Sequence, residues 1–227
     1  MNLSYTLYVL NRKLRSAISL AYFKVIQKPL WLFSYNNGNT FKCDGKLFNC
    51  KINLTGNNNK LIIEKKVVLK NVHFEITGYS NTIIIKEGTV FGEGGRFRIE
   101  DANNKIEIGR DVAVSEAFIA ASDFNTKITI GDNCLLSAKI IMRTSDGHSI
   151  LDSDNKRINP GDDIEIGEHV WIGYGVTILK GSRIGENSII GTEAIISGKP
   201  IPAGSIAVGI GKVVKSGVNW CKERLDE

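Results

Sequence analysis

The chain has 227 residues, 42% of them hydrophobic, which is ordinary for a globular protein of one large domain or two small ones. Its formal charge of +5 is unevenly placed: Arg12, Lys13, Arg15, Lys24 and Lys28 all precede the first acidic residue, Asp44, so the rest is near neutral and a nucleic-acid partner is not indicated. Cys43, Cys50, Cys134 and Cys221 form no CxxC pair and share no spacing with a histidine, which argues against a zinc site or a disulfide framework and fits reduced thiols in a cytosol.

The amino terminus carries no clear cleavable signal pattern, and no apolar run is long enough to span a bilayer, so the expected location is cytoplasmic. Residues 3 to 33 have a helical rhythm, with Leu7, Leu10, Leu14, Ile18, Tyr22 and Val25 at spacings of three or four and Pro29 placed to end or bend the helix. Such a basic, apolar helix suits two roles. It can cap the open end of a repeat fold or pack on a neighbouring subunit, which is the preferred reading; alternatively, residues 1–33 make peripheral contact with the anionic inner face of the membrane.

From Asn49 onward a loose repeat appears, in NKLIIEKKVVL, NTIIIKEGTVF, NKIEIGRDVAV and TKITIGDNCLL, and Ile63, Ile85, Ile108 and Ile130 recur at spacings of 22, 23 and 22. Asn59, Asn81 and Asn104, each four residues before its isoleucine, are expected in turns with left-handed backbone angles. The next marker, Ile166, comes 36 residues after Ile130, and the stretch from Arg143 to Asp163 reads as an excursion loop. From Ile166 the period tightens to six: IGEHVW, IGYGVT, ILKGSR, IGENSI, IGTEAI. A helix needs apolar spacings of three and four, and a half-exposed strand alternates every second residue, so a period of six is neither. It is one short strand plus a tight corner, three of which close a coil of about eighteen residues in which like aliphatic side chains stack. After Ile196 two prolines precede a final coil, and the tail from Lys215 is expected to pack back with Trp220 as its anchor.

The predicted fold is therefore an all-β solenoid with an N-terminal helical segment (1–40), a solenoid domain (41–215) carrying a catalytic loop (143–163), and a C-terminal tail (216–227). The hexads resemble those of the hexapeptide-repeat acyltransferases, whose fold is a left-handed parallel β-helix. The stretch SDGHSILD, followed by KRINP and IGEHVWIG, resembles the polysaccharide and sugar O-acetyltransferase branch of that family. The likeness is strong from residue 108 to 215, weak from 49 to 107 and absent before.

Imidazole is the side chain whose ordinary pKa lets it take and return a proton near neutral pH. The resemblance implies that His148 is the base that deprotonates the acceptor hydroxyl, with Asp146 or Asp152 as its orienting carboxylate. It implies acetyl-CoA as the donor, direct transfer, no metal, a saccharide acceptor and a homotrimer. The donor groove implied by the resemblance includes Trp171, Tyr174, Gly191, Thr192 and Ser197, with Lys199, Lys212 and Lys215 at the nucleotide phosphates. The chain departs from the family where Gly209, Ile210 and Gly211 replace the usual Gly-x-Pro-Ala segment, and where Gly198 stands at the usual lysine position with Lys199 beside it. No cysteine or serine has a nucleophile's setting near the loop, and the acceptor sugar is not identified by any residue.

Three alternatives compete with this reading. The γ-type carbonic anhydrases share the fold and bind zinc through three histidines; only His73, His148 and His169 are available here, and Tyr174 occupies a ligand position. An N-acetyltransferase acting on an amino sugar keeps the fold and donor and changes the acceptor. A non-catalytic solenoid binding module predicts no acyl-CoA affinity.

Overall fold

A computed structural model describes residues 30–32, 37–223 and 225. The helix expected between residues 3 and 33 lies outside them except at Leu30–Leu32, which form a strand, β1, in place of the helix's end. Among the described residues no helix is long and apolar enough to cross a membrane.

The architecture is a parallel β-solenoid of about seven coils with three flat faces. The first face holds β2 (Thr40–Cys43), β5 (Lys60–Ile63), β8 (Thr82–Ile85), β10 (Lys105–Ile108), β12 (Lys127–Ile130), β15 (Ile164–Ile166) and β18 (Arg183–Ile184), in one seven-stranded sheet. The second face holds β3 (Lys46–Phe48), β6 (Val68–Lys70), the starts of β9 (Val90–Ile99) and β11 (Ala113–Ala121), β13 (Leu135–Leu136), β16 (Trp171–Ile172), β19 (Ile189–Ile190) and β21 (Ser205–Val208). The third holds β1, β4 (Lys51–Leu54), β7 (Val72–Ile76), the ends of β9 and β11, β14 (Ile140–Arg143), β17 (Thr177–Leu179) and β20 (Ile195–Ile196). β22 (Lys212–Ser216) pairs antiparallel with β21 and ends the parallel succession.

The apolar period sets the register. Ile63, Ile85, Ile108, Ile130, Ile166 and Ile184 are consecutive partners on the first face, so the spacing of 36 contains a single coil plus an excursion. In the tight hexads Ile166, Ile172, Ile178, Ile184, Ile190 and Ile196 are each no more than 3% exposed. The wider lower coils need larger filling, and Phe74, Phe91 and Phe97 supply it; the Phe74 and Phe97 rings stack with centroids 5.0 Å apart.

One expectation is corrected at the corners between the third and first faces. The left-handed residues there include Asn58 (φ 56), Ser80 (φ 57) and Asn103 (φ 58), each one position before an asparagine singled out by the repeat, and Asn125 (φ 60), one position before Thr126. Asn59, Asn81 and Asn104 are instead buried, and they bridge coils through their side chains. Asn81 Nδ2 donates to the Thr77 carbonyl at 2.7 Å and to the Asp101 carbonyl of the next coil at 3.1 Å. Its Oδ1 accepts from Asn104 N at 2.9 Å, while its own N–H donates to Asn59 Oδ1 at 2.9 Å. A carboxamide has donors and an acceptor to satisfy, and here it closes a corner that backbone bonds alone leave open. The ladder passes from Asn104 Oδ1 to Thr126, and Thr126 Oγ1 meets Thr144 Oγ1 at 3.0 Å.

Replacing Asn81 by Ala removes three hydrogen bonds between coils and corner and leaves the buried Asn104 N–H without its acceptor, and we expect a loss of about 1–3 kcal/mol in chemical denaturation. Ser80→Gly, at the adjacent exposed left-handed position, is expected to stay within about 0.5 kcal/mol of the parent or above it. Similar losses in the two variants would show that the carboxamide ladder does not hold the coils.

Candidate active site

The chain leaves the solenoid after β14 and re-enters at β15, so residues 144–163 replace one corner between the third and first faces. The feet of this loop touch. Asp162 N donates to the Thr144 carbonyl at 3.0 Å, and Lys127 N donates to Asp163 Oδ1 at 2.7 Å. Within the loop Leu151 and Arg157 form an antiparallel bridge.

Charged side chains from the coils on either side hold the loop body. From below, Asp123 accepts from Arg157 Nη1 and Nη2 at 2.9 and 2.5 Å and from Gly161 N at 2.9 Å. From above, Lys180 Nζ donates to Asp146 Oδ2 at 2.6 Å and to the carbonyls of Asn159 and Pro160 at 3.3 and 3.1 Å. Inside the loop, Asn159 Nδ2 donates to Asp146 Oδ2 and to the His148 carbonyl, both at 2.8 Å, and its Oδ1 accepts from Ile150 N at 2.7 Å. The Arg157 guanidinium holds the Asp123 carboxyl below the usual carboxylate range. Lys180, and next to it Asn159, do the same for Asp146. Both carboxylates are thus ionised at neutral pH, as bidentate and charge-assisted bonds require.

His148 therefore has a backbone fixed by Asn159 and a side chain exposed to solvent. It lines a groove of about 730 Å³ together with Tyr79, Asp101, Ser122, Phe124 and Arg157. Asp146 shares Asn159 with His148. The other expected carboxylate, Asp152, uses Oδ1 to accept from Asp154 N and Lys156 N, both at 2.9 Å, a turn-forming pattern. Sequence reading did not single out Asp123, Arg157, Asn159 or Lys180. A signal existed for the last: ILKGSR is the one hexad of the five in which Gly does not follow the leading aliphatic residue.

The residues expected to meet the acyl donor fall into separate groups on this chain. Trp171 lies on β16 and is 40% exposed; the tail folds back so that Trp220 stacks on His169 at 4.3 Å, donates Nε1–H to the His169 carbonyl at 2.8 Å and lies 5.9 Å from the Trp171 ring. Tyr174 sits at the corner between the second and third faces, under the Lys139 ammonium at 5.3 Å, and its carbonyl accepts from Glu193 N, next to Gly191 and Thr192. Ser197 and Lys199 follow β20 at the corner above Lys180, whereas Lys212 and Lys215 lie on exposed β22, which extends the second face beyond β21 and places Lys215 in the column of Trp171. The three histidines are on β7 (His73), in the loop (His148) and before β16 (His169), and among the described residues no three His, Cys, Asp or Glu side chains are grouped as a metal would need.

Comparison with known proteins places this architecture. Residues 163–198 match the model of the bacterial transferase hexapeptide (six repeats). The crystal structure of the polysialic-acid-specific acetyltransferase NeuO overlays with a TM-score of 0.73 at 33% identity, over 84% of this chain and 88% of that one. The polysialic acid O-acetyltransferase OatWY overlays with a TM-score of 0.63 at 25% identity, over 83% of this chain and 90% of that one. A polysialic acid O-acetyltransferase of Escherichia coli O1:K1 / APEC is 37% identical over 67 residues, which span 29% of this chain and 22% of that relative. The chain belongs to the hexapeptide-repeat acyltransferases, in the branch that contains these sugar O-acetyltransferases.

Replacing Asp123 by Ala removes three hydrogen bonds that anchor the loop, two of them to a guanidinium. We expect protection factors of amides in residues 146–160 to fall by about tenfold or more, with those of the coils unchanged. In the parent protein the same protection should hold at neutral pH and fade as pH drops below about 4. Both anchoring carboxyls have depressed pKa values, so their contribution is present above the ordinary carboxylate range and lost as they protonate. Loop protection that is insensitive to the substitution and to acid would contradict this anchoring.

Proposed function

We propose that this protein is an acetyl-CoA-dependent O-acetyltransferase acting on a hydroxyl of a bacterial cell-envelope saccharide, such as a capsule, O-antigen or exopolysaccharide unit. One observation carries the reading most strongly: His148 lines the large groove, on a loop anchored by Asp123 and Lys180, in a chain whose fold overlays 88% of NeuO. The names of the neighbours make polysialic acid the first acceptor to test. The sense of the coils is taken as left-handed, as in the family, and residues 41–215 as the catalytic domain.

In this reading the acceptor oxygen attacks the thioester carbonyl carbon as the His148 imidazole takes its proton. The tetrahedral oxyanion then collapses, the C–S bond breaks, and the imidazolium returns the proton to the departing thiolate. A positioned base contributes about 10²–10⁴-fold to such a step. Asp146 is favoured over Asp152 as the orienting carboxylate, because it shares Asn159 with His148 whereas Asp152 closes a turn. The donor lies along Trp171, Tyr174, Gly191, Thr192 and Ser197, with its phosphates near Lys199, Lys212 and Lys215. These positions are dispersed over one chain, which supports a trimer whose clefts bring surfaces of neighbouring copies together. The enzyme works on the cytoplasmic side, with residues 1–33 capping the solenoid, contacting a subunit or meeting the inner membrane surface.

The test uses labelled acetyl-CoA with polysialic acid, neutral polysaccharides, nucleotide sugars and an amino sugar. His148→Ala should lower kcat by at least about 100-fold and leave acetyl-CoA binding nearly intact, whereas Trp171→Ala should weaken that binding several-fold. Transfer to an amine alone would move the reading to N-acetylation. Near-parental turnover in His148→Ala would remove the mechanism.

A further inference from the structure

The third face carries a second groove, of about 570 Å³, whose lining includes Gly94, Gly95, Arg96, Arg98, Phe118 and Arg143. Two guanidinium groups lie over the Phe118 ring, that of Arg96 at 5.8 Å from its centroid and that of Arg143 at 5.2 Å. Their charges are in different states. Arg96 donates to Glu75 Oε2 through Nε and Nη2 at 3.2 and 2.6 Å, and Arg98 Nη2 donates to Glu100 Oε1 at 2.6 Å. Arg143 is exposed, and it is the one arginine among the described residues outside an ion pair. A guanidinium held over an aromatic ring has already given up part of its freedom, and its N–H fork stays open to a carboxylate.

This groove abuts that of His148. Arg98, Ala120 and Arg143 are successive partners in one column of the third face. Two residues further along the chain from each come Glu100, Ser122 and Ser145, and all three line the groove of His148. Two extended residues span about 6–7 Å, a distance comparable with one sugar unit. The two linings differ in charge. Beside His148 stand Glu100, Asp101 and Asp123 against Arg157, which Asp123 already engages, so that groove accepts hydrogen bonds from hydroxyls and repels a carboxylate. In the second groove three arginines stand against Glu93 and Glu116, and Arg143 is the one left open.

We propose that Arg143 is a specificity residue that receives a carboxylate of an acidic acceptor saccharide, carried by the sugar adjoining the one whose hydroxyl meets His148. This rests on the acetyl-transfer reading above and adds to it a subsite for the acceptor's charge. One ligand then reads both grooves: its hydroxyl edge enters the acidic one, and its carboxylate is drawn across the third face to the open guanidinium.

Titration of the full chain, without acyl donor, with an oligomer of sialic acid, an oligomer of a hexuronic acid and the carboxyl-reduced form of each reads binding apart from turnover. The parent should bind at least one acidic oligomer about tenfold or more tighter than its reduced form, and added salt should weaken that preference. Arg143→Gln, at an exposed position that should tolerate it, is expected to lose the preference, and Arg143→Lys to keep part of it, because the charge remains without the fork. In turnover Arg143→Gln should raise the KM for the acidic acceptor by about tenfold and leave kcat and the acetyl-CoA KM unchanged. An acid preference that depends on Arg143, in a protein that transfers no acetyl group, would remove the transfer reading and leave the subsite standing. Transfer to a saccharide with no preference for the acid form would do the reverse. The subsite is also overturned if neither acidic oligomer binds the parent, if Arg143→Gln keeps the full preference, or if the acetyl-CoA KM rises in place of the acceptor KM, which would assign Arg143 to the donor's phosphates.

Discussion

The polar ladder inside one corner is the constraint on which the rest depends. Coils of a solenoid touch only their neighbours, so each must be locked in register with the next. On the flat faces backbone hydrogen bonds and stacked isoleucines do this. At the corner between the third and first faces the strand pattern breaks, and Asn59, Asn81, Asn104 and Thr126 carry the register through their side chains. The ladder reaches Thr144, the foot of the loop, where the Thr144 hydroxyl donates to the Ser122 carbonyl at 3.1 Å and the carbonyl accepts from Asp162 N. The loop therefore starts and ends on a fixed point, and its His148 is placed by rigid coils and not by the loop's own preferences.

The same corner supplies the charges. Below the loop Asp123 reaches up to Arg157, and above it Lys180 reaches down to Asp146. Isolated ion pairs on a surface contribute little, but these are supplemented by Asn159, Gly161 and the carbonyls of Asn159 and Pro160, so that several bonds must break together. The loop is clamped between coils, which suits the proposed role of His148 as a base that meets an incoming hydroxyl at hydrogen-bond distance.

Periodicity made the fold readable, because a period of six excludes both helix and simple strand and predicts which residues stack. The pairing of Ile130 with Ile166 follows from it, as does the excursion between them. The bridging role of the buried asparagines is not legible in the sequence, since a turn-forming residue and a corner-bridging residue look alike there; only the one-residue offset to Asn58, Ser80 and Asn103 separates the two. His148 stood out because histidines are few. Its anchors did not: Asp123 lies 34 residues from Arg157, and Lys180 lies 34 from Asp146, distances set by the coil plus the excursion and carried by no motif.

The faces differ in what they show to solvent, and this bears on assembly. The first face is covered by ion pairs: Glu107 meets Lys86 and Lys105 at 2.5 Å each, and those two ammonium groups bring its carboxyl down to about 2. The second face carries an outward row of Val90, Ala113, Leu135, Trp171, Ile189 and Ile206, one per coil and in direct register. A row of this kind costs solvation free energy on a lone prism, and covering it on a neighbouring copy removes that cost. Trp171 sits within the row and beside Trp220, so a surface that assembles copies and one that receives a donor would share a tryptophan. His148 projects from a different edge of the same coils. With the proposed donor contact at Trp171 and the proposed base at His148, transfer requires either a ligand that wraps the third face or a neighbour that presents its own second face to the loop. A narrow solenoid has no deep interior in which to do this alone, which is the physical motive for the proposed trimer.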